Sequence, residues 1–177
     1  MVELRDPYTA GHEKRVADLA AAIAQELGLE ENRIEGLKLA AFIHDVGKIK
    51  VPAEILNKPR RLSALEFELI KLHPQSGYDV LKGIQFPWSI ARMVHEHHER
   101  VDGSGYPNGL RDDEILLESK ILTVADVVES MQSHRPYRRG LGIDAALAEI
   151  TLHRGIWYNE TVCDACLRLF QNDRYRF

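Results

Sequence analysis

The chain has 177 residues, 45% of them hydrophobic and 28% charged, which excludes a disordered or fibrous protein. Lys and Arg total 23 against 27 Asp and Glu, so the net charge is −4, a generally basic face is not indicated and no DNA partner is expected. No apolar run reaches the roughly 18 residues of a spanning helix.

The first helical pattern is Val16, Leu19, Ala20, Ile23 and Leu27, with Gly28 as its stop. A second helix is expected over about 31–46, with Ile34, Leu37 and Ala41 facing inward. Ser63 and Glu66 form an S-x-x-E capping box ahead of a third. Pro74 interrupts, and a helix resumes toward Leu81. Pro87 is placed as a first-turn proline opening a helix to about His98. Residues 100–110 hold Gly103, Gly105, Pro107 and Gly109 and read as a loop. Helices resume over about 118–132, 143–152 and 160–172, and the stretch from Arg168 to Phe177 is expected to fray. No sustained period-2 alternation occurs, so the expected fold class is all-α, a single-domain helical bundle.

The start, Met1 to Pro7, lacks a basic stretch followed by an apolar block, so no secretory signal is expected. Cys163 and Cys166 are too few for a disulfide framework and fit a reducing, cytoplasmic setting. The unusual figure is eight histidines. His44-Asp45 and His97-His98 each close a predicted helix, and Asp126 sits inside the apolar run Ile121 to Val128. A buried, unpaired carboxylate there would cost several kcal/mol. His12 and His73 lie on or beside other helices. Singly, each is an ordinary hydrogen-bonded histidine or a paired Asp. Together, five imidazoles and two carboxylates are too many for one ion and suit two. Imidazole with carboxylate suits Fe, Mn, Zn, Co or Ni, and two such ions can activate water and offset phosphoryl charge.

Arg5-Asp6-Pro7-Tyr8-Thr9-Ala10-Gly11-His12 is followed by His44-Asp45-Val46-Gly47-Lys48-Ile49, Val51-Pro52 and His73-Pro74. Then come His97-His98-Glu99-Arg100, Asp102-Gly103-Ser104-Gly105-Tyr106-Pro107, Ala125-Asp126-Val127 and Arg135-Pro136-Tyr137-Arg138. The ordered series resembles the HD-GYP subgroup of the HD metal-dependent phosphohydrolases. It spans a motif-bearing core of about 5–146, with C-terminal helices over about 147–177, within one domain of residues 1–177.

The resemblance implies a bundle of the HD phosphohydrolase type that hydrolyses the bacterial second messenger cyclic di-GMP to pGpG or GMP. It implies metal ligands at His12, His44, Asp45, His73, His97, His98 and Asp126, with Asp45 bridging two divalent ions, Fe or Mn. Hydroxide held between the ions would attack phosphorus. Lys48 would act beside the attacked phosphate, and Gly105, Tyr106, Pro107, Arg135 and Arg138 would contact the dinucleotide. Some members hold a third metal with a glutamate four residues before the first histidine. Tyr8 stands there, so two metals are expected. The stretch Glu129-Ser130-Met131-Gln132-Ser133-His134 departs from the family's usual wording, and so does Gly155 to Asn159.

Family members commonly follow a sensory or receiver domain, which makes this chain a fragment of a longer protein on that reading. A GGDEF-type cyclase is a compatible partner, as is a second copy in a homodimer. The alternatives are a non-catalytic cyclic-dinucleotide-binding module and a phosphohydrolase of another nucleotide. His95, two residues before His97, would point away from it on a helix and is placed at the surface or behind the ligands, while His134 and His153 are set aside as lacking convincing partners. Cys163, Cys166, Trp88 and Trp157 are expected to pack.

Overall fold

The computed structural model describes residues 11–58, 60–133 and 140–177. Helix α1 is His12–Glu26, α2 Glu31–Ile43, α3 Ala53–Leu56, α4 Ala64–Ile70 and α5 His73–Leu81. Then follow α6 Ile90–Glu96, α7 Leu117–Gln132, α8 Ile143–Leu152 and α9 Glu160–Gln171. Among the described residues there is no β-strand, only two isolated bridges. The all-α expectation holds.

Helix α1 carries the first apolar stripe into the core: Val16, Leu19, Ala20 and Ile23 are fully buried. It packs against α2, α7 and α9. The α7 run Ile121, Leu122, Val124, Ala125 and Val128 is equally buried and meets that stripe in the main cluster. Cys163 and Cys166 lie on the inner face of α9, free and buried, as packing residues. A second cluster of Ala40, Leu81, Ile90, Met93 and Val94 joins α2, α5 and α6. The space between the two clusters is where the histidines come together.

Several boundaries differ from expectation. Helix α2 ends at Ile43, and Val46–Lys50 is a tight 3-10 turn instead of a helical continuation. The cause is Gly47: a Cβ there would lie 2.0 Å from the His73 carbonyl oxygen and 2.5 Å from the Gly77 nitrogen. This turn therefore lies backbone to backbone against α5, which sets His44-Asp45 next to His73. Pro74 does not break a helix; it occupies the first turn of α5, where its missing N–H costs nothing. Helix α6 begins at Ile90 after Ser89, three residues beyond Pro87.

The C-terminal stretch is anchored. Arg168 and Arg174 both pair with Glu26 of α1, at 2.8 Å each, and Phe170, Tyr175 and Phe177 stack together. His153 has partners as well, with its ring 3.6 Å from that of Trp157 and Nδ1 3.0 Å from Glu149.

Candidate metal centre

Helix ends supply most of the site. His44 and Asp45 follow α2, His73 opens α5, and His97 and His98 follow α6. His12 opens α1, and Asp126 lies mid-way along α7. The structure brings all seven side chains into one cluster, with His12, His44, Asp45, His73 and His97 buried and His98 and Asp126 partly exposed. Ligand atoms of His73, His97 and His98 lie within 4.8 Å of one another. The same spacing holds for His12, His44 and Asp126, and for His44, Asp45 and His97. Atoms about 2.0–2.2 Å from a common ion must lie within about 4.4 Å of one another. Small side-chain adjustments bring each group to that limit, so the cluster can hold a divalent metal.

The hydrogen bonds fix which nitrogen faces inward. Nδ1 of His44, His73 and His97 each lies 2.7 Å from a backbone carbonyl, of Ala41, Ile70 and Val94 respectively. A carbonyl only accepts, so each Nδ1 carries the proton and each Nε2 presents a lone pair to the centre. The consequence is a surplus of acceptors. His44 Nε2 is buried without a hydrogen-bond partner. His73 Nε2 and His97 Nε2 face one another at 3.1 Å, lone pair to lone pair. A cation resolves both conflicts, and on this observation the residues fit a metal.

The charges agree. Burial pushes the His73 and His98 imidazoles down to about 4 and about 3, and it holds His97 well below its usual value, so all three are neutral at pH 7, as metal binding requires. Burial pushes the Asp45 carboxyl up, but Lys48 and the imidazoles of His44, His73 and His12 outweigh it and hold the group well below the usual range. Asp45 Oδ1 faces His73 Nε2 at 3.4 Å, while Oδ2 faces His44 Nε2 at 3.6 Å and Lys48 Nζ at 2.5 Å. Its two oxygens thus address different parts of the cluster, as a bridging carboxylate must. Asp126 is also held ionised, with the hydrogen bond from His12 foremost among the effects opposing its burial.

His12 is the exception. Burial lowers its affinity for protons, yet Asp126 and Glu129 prevail and raise it to about 9. Nδ1 donates to Glu129 Oε2, and Nε2 lies 3.2 Å from Asp126 Oδ1. Glu129 is fully buried and its Oε1 accepts from Arg15 Nε at 2.7 Å and Ser133 Oγ at 2.5 Å. Sequence reasoning treated Glu129 as part of a departing stretch and missed this role. The available signal was its i, i+3 spacing from Asp126, which puts both carboxylates on one helix face.

Two more buried carboxylates went unread. Glu96 accepts from Leu116 N at 2.9 Å and Ser119 Oγ at 2.8 Å. Glu99 accepts from Asn108 N at 2.7 Å and Leu110 N at 3.0 Å. They fasten the 100–116 segment that carries Tyr106. Burial pushes the Glu99 carboxyl up despite these N–H donors. Gly103 and Gly109 adopt positive φ of 86° and 68°, as the turns require. Gly105 serves close approach instead: a Cβ would lie 2.4 Å from Arg100 N.

A cavity of about 450 Å³ opens over the cluster, lined by Asp45, Lys48, His73, His98, Tyr106 and Asp126, and walled by Phe67, Ile70 and Met131. Tyr106 packs its ring 4.9 Å from that of His98. Burial, then Asp126 and Asp45, raise the phenol, which stays protonated at neutral pH. Of the Gly105-Tyr106-Pro107 segment only Tyr106 lines this cavity. Arg135 and Arg138 lie outside the described residues, as do His134 and Tyr8. His95 stacks on Tyr78 at 4.7 Å and bonds Gln75 at 2.8 Å, away from the ligands.

With the histidine-aspartate cluster assembled, the comparison with known proteins decides the family. The family model described as HD domain matches residues 1–162. The chain belongs to the HD domain family. This is the membership that the motif series implies. The chain is 41% identical over 169 residues to the cyclic di-GMP phosphodiesterase response regulator RpfG of Xanthomonas campestris, covering 94% of this chain and 45% of that protein. It is 40% identical over 169 residues to a cyclic di-GMP phosphodiesterase of Thermotoga maritima, covering 94% and 46%. It is 38% identical over 170 residues to the 3'3'-cGAMP-specific phosphodiesterase 3 of Vibrio cholerae, covering 95% and 36%. The chain therefore spans less than half the length of these relatives. Among solved structures, an HDG"Y"P protein of Bdellovibrio bacteriovorus superposes with a TM-score of 0.75 at 20% identity, covering 90% of this chain and 51% of that one. At that identity the likeness speaks for the fold. No helix among the described residues is long and apolar enough to cross a membrane.

Proposed function

We propose that this chain is a metal-dependent phosphodiesterase of cyclic di-GMP, with two divalent ions, iron or manganese, held by His12, His44, Asp45, His73, His97, His98 and Asp126. The observation that carries the reading is the set of inward-facing Nε2 lone pairs without donors, among them the orphaned His44 Nε2. Such a set, with two carboxylates beside it, suits a divalent cation. When bound, the ions supply a water of lowered pKa and neutralise charge on a phosphodiester.

The remaining work falls to residues of the chain. Lys48 stands at the cavity floor, where its ammonium can turn from Asp45 toward a non-bridging phosphate oxygen. Tyr106, a protonated phenol at the wall, can donate to a phosphate or a ribose oxygen. The apolar side chains of Ile70, Val127 and Met131 keep water out of one side of the cavity. Arg135 and Arg138 are proposed to meet the second phosphate or a guanine edge.

The 3'3'-cGAMP-specific relative, at 38% identity, favours a second reading in which a mixed purine dinucleotide is the preferred substrate. The test is product chromatography after incubating metal-loaded protein with each dinucleotide. Formation of pGpG or GMP supports the first reading. Hydrolysis of 3'3'-cGAMP alone supports the second. Tight binding with no product returns the chain to a binding module that signals by contact.

A further inference from the structure

Phe67 is a large aromatic side chain that the fold does not use. It is 46% exposed and belongs to neither hydrophobic cluster. One exposed aromatic is ordinary on a protein surface. Its position sets it apart: its ring forms part of the wall of the cavity over the metal cluster, which Tyr106 also lines. Lys71, one helical turn further on, holds its Nζ 5.3 Å from the Phe67 ring centre and 5.7 Å from that of Tyr106. Its other partner is Glu68 Oε1 at 2.8 Å. The turn that carries Phe67 is fixed by the Ser63–Glu66 capping box and by Lys58 on Glu66 at 2.5 Å. The ring is thus an exposed apolar face, held in place, on the rim of a polar site.

We infer that Phe67 is a stacking platform for one nucleobase of the substrate, with Lys71 as the cation beside it on the same rim. The inference rests on the cyclic-dinucleotide reading of the site. A base is tethered to its phosphate through a single ribose, so a phosphodiester over the metal cluster carries its base to the cavity wall. A ring without hydrogen-bonding groups offers a base only its face. Every base has such a face, so the contact adds affinity without choosing between guanine and adenine. Lys71, poised between the Phe67 and Tyr106 rings, adds a positive charge beside the stacked base.

The test uses the metal-loaded protein and phosphorothioate analogues of cyclic di-GMP and 3'3'-cGAMP, titrated by calorimetry. Removing one base stack weakens binding by about 5- to 150-fold. We expect F67A to lose affinity in that range for both analogues, with unchanged metal content. F67L keeps an apolar side chain on the helix but not the aromatic face, and it is expected to lose nearly as much. L65A alters a more exposed residue of the same helix that does not line the cavity, and it should bind as the unaltered protein does. Unaltered affinity in F67A overturns the inference, as does recovery in F67L, which would make the contact simple apolar packing. Loss for one dinucleotide only also overturns it, because a bare face cannot discriminate. If the unaltered protein neither binds nor cleaves either dinucleotide, the functional reading itself fails, and that outcome is distinct from a silent F67A.

Discussion

Replacing Glu129 with glutamine tests how the site chooses metal over proton. The side chain keeps its shape and loses its charge. At present Oε2 accepts from His12 Nδ1, while Oε1 accepts from Arg15 and Ser133. A glutamine has one accepting end. Facing its oxygen to Arg15 and Ser133 satisfies a charged donor and a hydroxyl; facing it to His12 satisfies one imidazole N–H. The first orientation wins, and its NH₂ then points at His12 Nδ1. His12, a cation at neutral pH in the unaltered metal-free protein, must become an acceptor there, so it gives up the Nδ1 proton and keeps the one on Nε2. That proton meets Asp126 Oδ1, 3.2 Å away, in a hydrogen bond where the cation should sit.

Metal must displace the Nε2 proton in either protein, but in the variant it must also restore a proton to Nδ1, against the amide NH₂. The cost is about 1–3 kcal/mol, roughly 5- to 150-fold in affinity. It agrees with the roughly 10- to 100-fold typical of lost partners behind metal-bound histidines. The assay is competition for Mn²⁺ or Zn²⁺ against a chromophoric chelator, with long-range imidazole NMR to read the His12 tautomer. Metal-free stability in urea should fall as well, since the substitution removes the buried carboxylate that pairs with Arg15 and His12. An unchanged metal Kd with the proton still on Nδ1 would refute the reasoning.

Other outcomes follow from the same geometry. D45A should abolish turnover while far-UV circular dichroism stays helical, because one carboxylate serves two parts of the cluster; any substantial turnover contradicts that assignment. E99Q should raise KM and speed amide hydrogen exchange over residues 106–110, since an amide cannot accept both Asn108 N and Leu110 N; unchanged exchange would mean the loop holds itself. G47A should cost several kcal/mol by overpacking or shift the 3-10 turn away from α5, which urea denaturation and metal titration will read as lower stability and weaker binding. Metal affinity should rise with pH up to about 9, where the raised His12 loses its proton in the metal-free protein. Below that pH, a cation must displace the proton, at about a tenfold loss per pH unit while other ligands stay neutral. A flat profile between pH 7 and 9 would contradict the His12 assignment.

The long helices were legible because their apolar stripes are periodic and their stops are local. The α1 and α7 stripes are such cases, as is the Ser63–Glu66 box. The ligand-type residues were legible too, since imidazoles and carboxylates on apolar helices conflict with burial unless something binds them. The partners behind those ligands were not. Glu129, Glu96 and Glu99 look like ordinary acidic surface residues until the tertiary fold buries them against donors up to 117 residues away. The end of α2 at Ile43 depends on a backbone contact between Gly47 and α5, which no local pattern encodes. The anchored C-terminus depends on Glu26, 142 residues before Arg168. Long-range burial, and not local propensity, separates what could be read from what could not.

The most direct test of the central claim is anaerobic purification, metal analysis and chromatography of products after incubation with cyclic di-GMP. The account predicts about two Fe or Mn per chain and conversion of cyclic di-GMP to pGpG or GMP, both lost in D45A. A protein that takes up no divalent metal after reconstitution, yet keeps its helical fold, would contradict it.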